Sequence, residues 1–94
     1  MTKADIVNEV SKKTGIEKVI VQKAIESSME SIKQALKEGN NVYLRGFGSF
    51  IVKKRAEKTA RNISKNTTII IPEHNVPAFK PAKTFINLVK SNVK

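Results

Sequence analysis

The chain has 94 residues and no cysteine, so it is at most one small domain, without a disulfide or a cysteine-ligated metal site to brace it. It carries 18 basic and 8 acidic side chains, a formal net charge of +10. No apolar run approaches the ~18 residues of a membrane span, which favours a soluble intracellular protein with no membrane partner. Because so short a chain buries a modest fraction of its surface, oligomerisation is the expected source of extra stability.

The charge is distributed unevenly along the chain. Residues 1–40 contain seven Lys and six acidic residues, a net charge of +1, whereas residues 41–94 contain eleven Lys or Arg and two acidic residues, a net charge of +9. A surface that only keeps a protein in solution mixes the two signs, as the first forty residues do. The one-sided basic region therefore indicates an anionic partner, most often nucleic acid.

The first forty residues predict two helices. Thr2 followed by Asp5 is typical of a capping box, and Gly15 is a suitable stop, so the first helix is predicted over about residues 3–14. The second is predicted over about residues 18–38, before Gly39. Its stripe could be core or a partner-binding face; core is the preferred interpretation because the chain has few other apolar residues. The stripe comprises Ile20, Ala24, Ile25, Ser28, Ile32, Ala35 and Leu36.

From residue 40 the apolar period changes from helical to two, which predicts strands. Val42 and Leu44 mark a first strand and Phe50 and Val52 a second, joined by a glycine-containing turn. Residues 75–80 form a further short strand, confined to a sheet edge or a bulge by its proline. A last helix is predicted over about residues 82–92, so the fold class is α+β.

A polar and basic segment, residues 56–68, has Ile63 as its only large apolar residue. The strongly strand-forming run Ile69–Ile71 follows it, and Pro72 ends that run. The simplest interpretation is a long hairpin with its tip near residues 62–66. A disordered basic loop is the alternative that this composition permits.

The stretch RGFGSF, residues 45–50, begins like an RNA-recognition signature. The fold that uses the signature needs a four-stranded sheet with two aromatic motifs, but here no strand precedes the first helices. Ser49 also stands where a second stacking ring is expected. Because the chain has few aromatic residues, burial explains Phe47 and Phe50 better than exposure, and a glycine bulge or turn is predicted to bring both inward to pack with Phe79.

Four segments resemble the HU/IHF family of bacterial histone-like DNA-bending proteins: LKEG (36–39), RGFGSF (45–50), RAEKTARN (55–62) and NVPAFKPAK (75–83). The resemblance covers essentially the whole chain. It implies an intertwined dimer with an N-terminal helical hairpin, a three-stranded antiparallel sheet bearing a long β-ribbon arm, and a C-terminal helix. It also implies one domain, with residues 1–40 as the helical dimerisation half, 41–81 as the β-saddle with its arm at about 56–72, and 82–94 as the C-terminal helix.

The resemblance also implies a function: a histone-like architectural protein that binds duplex DNA through the minor groove and bends it, compacting or organising the chromosome. HU and integration host factor are themselves among the standard examples of such proteins. The expected partners are double-stranded DNA and a second identical chain, with a heterodimer as an alternative, and the expected location is the cytoplasmic nucleoid. The alternatives that remain are a sequence-specific bender of the integration-host-factor type, a basic RNA-binding module and a scaffold that ignores nucleic acid.

Charge and resemblance together predict ten DNA-binding residues. On a strand, Lys53 and Arg55 point the same way, while Arg61 is expected in the minor groove and Asn62 at base edges there. Ile63 stands where family members commonly carry proline, and isoleucine is among the residues used as wedges between base pairs. The alternatives are solvated cations, a turn-forming Asn62 and an Ile63 that only touches sugars. The full set is Lys3, Arg45, Lys53, Arg55, Lys58, Arg61, Asn62, Ile63, Lys80 and Lys83.

Catalysis has little support in the sequence. His74 is the only histidine and Asp5 the only aspartate, so neither a metal-ligand set nor an acid pair can be named. The glycines at 46 and 48 fall far short of a phosphate-binding loop. We therefore expect no enzyme activity, no cofactor, no metal and no small-molecule substrate.

Overall fold

The computed structural model describes residues 1–62 and 67–93. The predicted order of helices and strands is confirmed, and the chain divides into two units, Met1–Ala35 and Leu36–Lys94. No helix in these described ranges is both long and apolar enough to cross a membrane. The elements in chain order are α1 (Lys3–Thr14), α2 (Lys18–Lys37), β1 (Val42–Leu44), β2 (Gly48–Arg55), β3 (Lys58–Asn62), β4 (Thr67–Ile71), β5 (His74–Pro81) and α3 (Lys83–Asn92).

The first helix carries the caps that its sequence predicts. The Thr2 hydroxyl accepts a hydrogen bond from the backbone N–H of Asp5, and the Asp5 carboxylate accepts one from the backbone N–H of Thr2 at 2.8 Å. At the other end, Gly15 adopts φ 73° and its N–H donates to the carbonyl of Ser11. Both ends of α1 therefore satisfy backbone groups that a helix terminus leaves unpaired.

The apolar stripe of α2 differs from its prediction. Among the described residues, Val7 on α1 and Val21 on α2 are the only buried hydrophobic side chains, 6% and 4% exposed. Ile20 is 55% exposed, and Ile25 and Ile32 are half-buried. The prediction that this stripe forms a core within the chain is wrong, because a 94-residue chain has too few apolar residues to cover a twenty-residue helix. The stripe instead fits its alternative interpretation, a face for a partner.

The second unit is built on a three-stranded antiparallel sheet with the order β1-β2-β5. This places β5 at an edge, as Pro77 requires. Alternate side chains of a strand point to opposite faces, and directly paired residues share a face. We call one face the aromatic face. It carries Val42, Leu44, Gly48, Phe50, Val52, Pro77, Phe79 and Pro81.

Four phenylalanines pack together on the aromatic face. The ring centroids of Phe50 and Phe79 lie 4.9 Å apart, and those of Phe47 and Phe79 lie 5.3 Å apart. Phe85 of α3 stacks on Phe47 at 5.3 Å. Phe47 reaches the cluster because it lies in the turn between β1 and β2, where Gly46 adopts φ 79°. The predicted packing of Phe47, Phe50 and Phe79 is confirmed, and Phe85 joins them.

The predicted hairpin arm is confirmed in its described part, as an antiparallel pair of β3 and β4. The predicted tip, residues 62–66, lies outside the described residues apart from Asn62. Between this pair and the larger sheet, both strands are interrupted at the same level, at residues 56–57 and 72–73. The register is the same on the two sides of the interruption, since Arg55 pairs with His74 and Lys58 pairs with Ile71. Pro72 contributes to the interruption because it has no backbone N–H to donate.

Candidate nucleic-acid interface

The face of the sheet opposite the phenylalanine cluster carries the basic side chains, and we call it the cationic face. Lys53 and Arg55 share it, as their spacing on β2 predicts. Lys80 joins them because it pairs across the sheet with Ser49. The register assigns this face Tyr43 on β1, Ser49, Ile51, Lys53 and Arg55 on β2, and His74, Val76, Ala78 and Lys80 on β5.

Three of the predicted cations line one concave pocket with a volume of about 800 Å³, which we call the saddle concavity. Arg45 reaches it from the turn after β1, Lys80 from β5 and Lys83 from the first residue of α3. The turn and the helix are held together there by two hydrogen bonds: the Ala82 N–H donates to the Phe47 carbonyl at 2.9 Å, and the Thr84 hydroxyl donates to the Gly46 carbonyl at 3.4 Å. Residues far apart in sequence thus form a single basic surface.

The beginning of α3 adds backbone donors beside these cations. Its N-cap residue, Ala82, makes no side-chain hydrogen bond to the first turn. The N–H groups of a helix's first turn have no partner within the helix and carry partial positive charge. Together with Lys83 they suit an anionic oxygen, as the sequence predicts.

Lys54 is a basic residue of β2 that does not belong to the cationic face. It points to the opposite face from Lys53 and pairs with Glu73 at 2.7 Å. Glu73 is one of only two acidic residues beyond position 40. Because successive side chains of β2 point to opposite faces, Lys54 forms an ion pair on one face while Lys53 lies on the cationic face.

The arm continues from the end of the strand that carries Lys53 and Arg55. Lys58 is the exposed first residue of β3. The backbones of Arg61 and Asn62 lie further along β3, paired with Thr68 and Thr67. Ile63, the predicted wedge, lies outside the described residues. The returning strand β4, Thr67–Ile71, contains no charged residue, so β3 carries the charge of the paired strands.

Lys3 lies in the first unit, as the first residue of α1. Its ammonium group pairs with the Glu26 carboxylate of α2 at 3.3 Å, and both side chains remain about half exposed. An exposed ion pair of this kind contributes about 0.2–1 kcal/mol, so it exchanges readily for another anion. The assignment of Lys3 to DNA stays a prediction, as does each of the other nine.

Sequence reasoning missed Tyr43. It is 73% exposed and lines the saddle concavity with Arg45 and Lys80. The signal was the alternation of β1, since Val42 and Leu44 on the aromatic face place Tyr43 on the other. No group of three or more metal-ligating side chains occurs within residues 1–62 and 67–93.

Comparisons with known proteins agree with this geometry. The model of the family described as "Bacterial DNA-binding protein" matches residues 1–90. The chain is similar to DNA-binding protein HU of Geobacillus stearothermophilus, with 39% identity over 96% of this chain and 100% of the relative. It is 40% identical to DNA-binding protein HU of Thermotoga maritima at the same two coverages. The structure of Anabaena HU in a cocrystal with DNA matches with a TM-score of 0.89 and 32% identity, covering 100% of both chains.

Proposed function

The chain belongs to the HU family of bacterial DNA-binding proteins, and we propose that it is an architectural protein that binds duplex DNA and bends it through the minor groove. The observation that carries the proposal is the continuity of positive charge. Lys53, Arg55 and Lys80 share one face of the sheet, and the strand beyond Arg55 leads into the basic strand of the arm. A duplex laid along this face meets cations over a long path.

Binding in this proposal is mainly neutralisation of phosphates. Arg45, Lys80 and Lys83 surround the saddle concavity and contact one stretch of backbone, while Lys53 and Arg55 contact the next. Each neutralised phosphate releases condensed counterions, which is the main source of affinity for a protein of this kind. The phosphate contacts position the protein without reading the sequence.

Bending in this proposal belongs to the arm. The two-stranded ribbon lies along the minor groove, and Arg61 enters the negative potential there. An apolar side chain at the tip, Ile63, then inserts between two base pairs, and the loss of stacking kinks the duplex. The bent duplex contacts more of the basic surface than a straight one. The proposed site of action is the bacterial chromosome in the cytoplasm, and the proposed role requires no reaction and no cofactor.

A second identical chain completes the molecule in this proposal. The aromatic face and α3 border an apolar groove of about 500 Å³, lined by Phe79, Phe85, Ile86 and Val89 among others. Phe79 itself is 40% exposed, although it touches three other rings. A chain with two buried hydrophobic side chains among its described residues needs further burial to be stable, and a second copy supplies it.

A gel shift at low salt against linear, nicked and cruciform DNA tests the proposed function. We expect binding to all three, tighter to nicked and cruciform DNA because these are already easy to bend. Double-stranded RNA of equal length is the matched competitor, since its wide, shallow minor groove does not suit an inserted ribbon. Preference for the RNA, or no complex with any DNA, would contradict the proposal.

Two substitutions in the arm should separate bending from binding. Ile63→Ala is expected to reduce the bend more than the affinity, because the wedge acts on the kinked step. Arg61→Ala is expected to weaken binding by about 1–3 kcal/mol, the usual cost of losing a bidentate arginine contact, and less if the arginine contacts phosphate alone. Fluorescence transfer between dyes at the two ends of a duplex reports the bend, and a titration reports the affinity. Equal transfer with wild type and Ile63→Ala would contradict the wedge.

The proposed dimer predicts an unfolding temperature that rises with protein concentration, because folding and association are linked. Ile86→Glu places a charge in the apolar groove and is expected to lower both the dimer population and the unfolding temperature. Leu88→Glu is the matched control, since Leu88 is exposed on the same helix but does not line the groove. Sedimentation equilibrium over about a hundredfold range of concentration measures the association. The mass of a single chain at every concentration would contradict the dimer.

A further inference from the structure

Tyr43 stands apart from the other aromatic residues of the chain. The four phenylalanines pack with one another on the aromatic face. Tyr43 lies on the opposite, cationic face, paired with Ser49, and is 73% exposed. An exposed ring contributes little to the core, so its packing in the described structure does not explain it.

A hydrogen-bond relay orients the Tyr43 hydroxyl. The backbone N–H of Val52 donates to Asn41 Oδ1 at 3.0 Å, just where the pairing of β1 with β2 ends. This bond fixes which end of the amide carries the donor. Asn41 Nδ2 then donates to Tyr43 Oη at 3.4 Å. A phenol has one proton to donate, and since its oxygen is already the acceptor from Asn41, that proton points to another group.

The surroundings of the hydroxyl select an anionic acceptor. Tyr43 lines the saddle concavity together with Arg45, Lys80 and Lys83. None of the described residues that line it is acidic. Three cations around one neutral donor match a phosphate oxygen better than a neutral acceptor, because hydrogen bonds to charged groups are the stronger ones.

We propose that the Tyr43 hydroxyl donates a hydrogen bond to a backbone phosphate of bound DNA and that Asn41 is a positioning residue, which acts through Tyr43. This inference rests on the proposed function and adds a neutral contact to its cationic ones. It assigns to the edge strand β1 a contact that counterion release does not supply. The contact therefore keeps its strength as salt rises, whereas those of Arg45 and Lys80 weaken.

Tyr43→Phe tests the contact, because it keeps the ring and removes only the hydroxyl. We expect DNA affinity to fall about 3- to 10-fold, the loss of one hydrogen bond, with an unchanged slope of log affinity against log salt. Lys80→Ala is expected to reduce that slope by about one. Ser31→Ala, which removes an exposed hydroxyl from α2, is the matched control and should bind as wild type does.

A double-variant cycle tests the positioning role of Asn41. If Asn41 acts only through the Tyr43 hydroxyl, then Asn41→Ala combined with Tyr43→Phe binds DNA no more weakly than Tyr43→Phe alone. Additive losses would overturn that role, and Tyr43→Phe stands as a test on its own if Asn41→Ala does not fold. Equal affinity of wild type and Tyr43→Phe would overturn the contact. A loss that differs between A·T-rich and G·C-rich duplexes would place it on a base edge and overturn the phosphate assignment. A wild type that binds no DNA at any salt would instead overturn the proposed function.

Discussion

Gly48→Ala is expected to lower the free energy of unfolding by about 3 kcal/mol, near the upper end of the range for overpacking. A Cβ at this position would lie 2.6 Å from the ring of Phe79 and 2.7 Å from the backbone carbonyl oxygen of Lys80. Gly48 is buried on the aromatic face, two residues from Phe50, and the Phe79 ring crosses over it. The methyl group would push this ring away from Phe47 and Phe50.

The backbone carbonyl makes the contact expensive to relieve. A flexible side chain end can rotate away, but the Lys80 oxygen belongs to the edge strand β5, which pairs with β2 along its whole length. A shift of β5 also moves the Lys80 side chain on the cationic face. We therefore expect the variant to lose DNA affinity together with stability, although Gly48 itself carries no functional group.

Gly39→Ala is the matched control for Gly48→Ala. Gly39 follows α2 with φ 84°, and a Cβ there meets nothing within 4 Å. Its cost is that of an L-residue in the left-handed region alone, roughly 1–2 kcal/mol. Urea denaturation of both variants at one protein concentration measures the difference. Equal stability of the two would contradict the close packing of Phe79 over Gly48.

The affinity for duplex DNA is expected to fall about 10³- to 10⁵-fold between about 50 and 200 mM salt. That range corresponds to roughly six to ten phosphate contacts. On one chain, Arg45, Lys53, Arg55, Lys80 and Lys83 offer five cations outside the arm, and a second chain doubles that number. The cationic face and the saddle concavity therefore suffice for the expected dependence before any contact by the arm.

Charge-neutralising variants give this prediction its control. Lys53→Ala removes a cation from the cationic face and is expected to lower the slope of log affinity against log salt by about one for each copy in contact. Lys54→Ala removes a neighbouring cation that faces the other way and pairs with Glu73 at 2.7 Å. We expect it to change the slope much less. Equal effects of the two variants would contradict the assignment of faces, and a slope near zero for wild type would contradict phosphate binding altogether.

Much of the fold was predictable because its signals are local. The capping residues Thr2 and Asp5, the stop at Gly15 and the change of period after residue 40 each act within a few positions. Proline has no backbone N–H, which is an equally local signal. It allowed Pro77 to predict a sheet edge and Pro72 to predict the end of a strand. The packing of Phe47 and Phe50 against Phe79 was predictable from the glycines on either side of Phe47.

The features that escaped prediction depend on pairing across the chain. Three contacts join segments that only the folded sheet brings together. They are the ion pair of Lys54 with Glu73, the shared concavity of Arg45 and Lys83, and the hydrogen bonds that lead from Val52 through Asn41 to Tyr43. The apolar stripe of α2 is a second case in which local sequence signals were insufficient. Its periodicity predicted an apolar face, but periodicity does not say whether the surface that covers such a face belongs to the same chain or to a second one.

Fluorescence transfer across a duplex with a dye at each end, titrated with wild-type protein at low salt, tests the central claim most directly. One titration reports both binding and the distance between the DNA ends. We predict saturable binding accompanied by a rise in transfer, because the ends approach when the duplex bends, and loss of both signals together at high salt. Saturable binding with no change in transfer would contradict an architectural role, and an absence of binding at low salt would contradict the DNA interface itself.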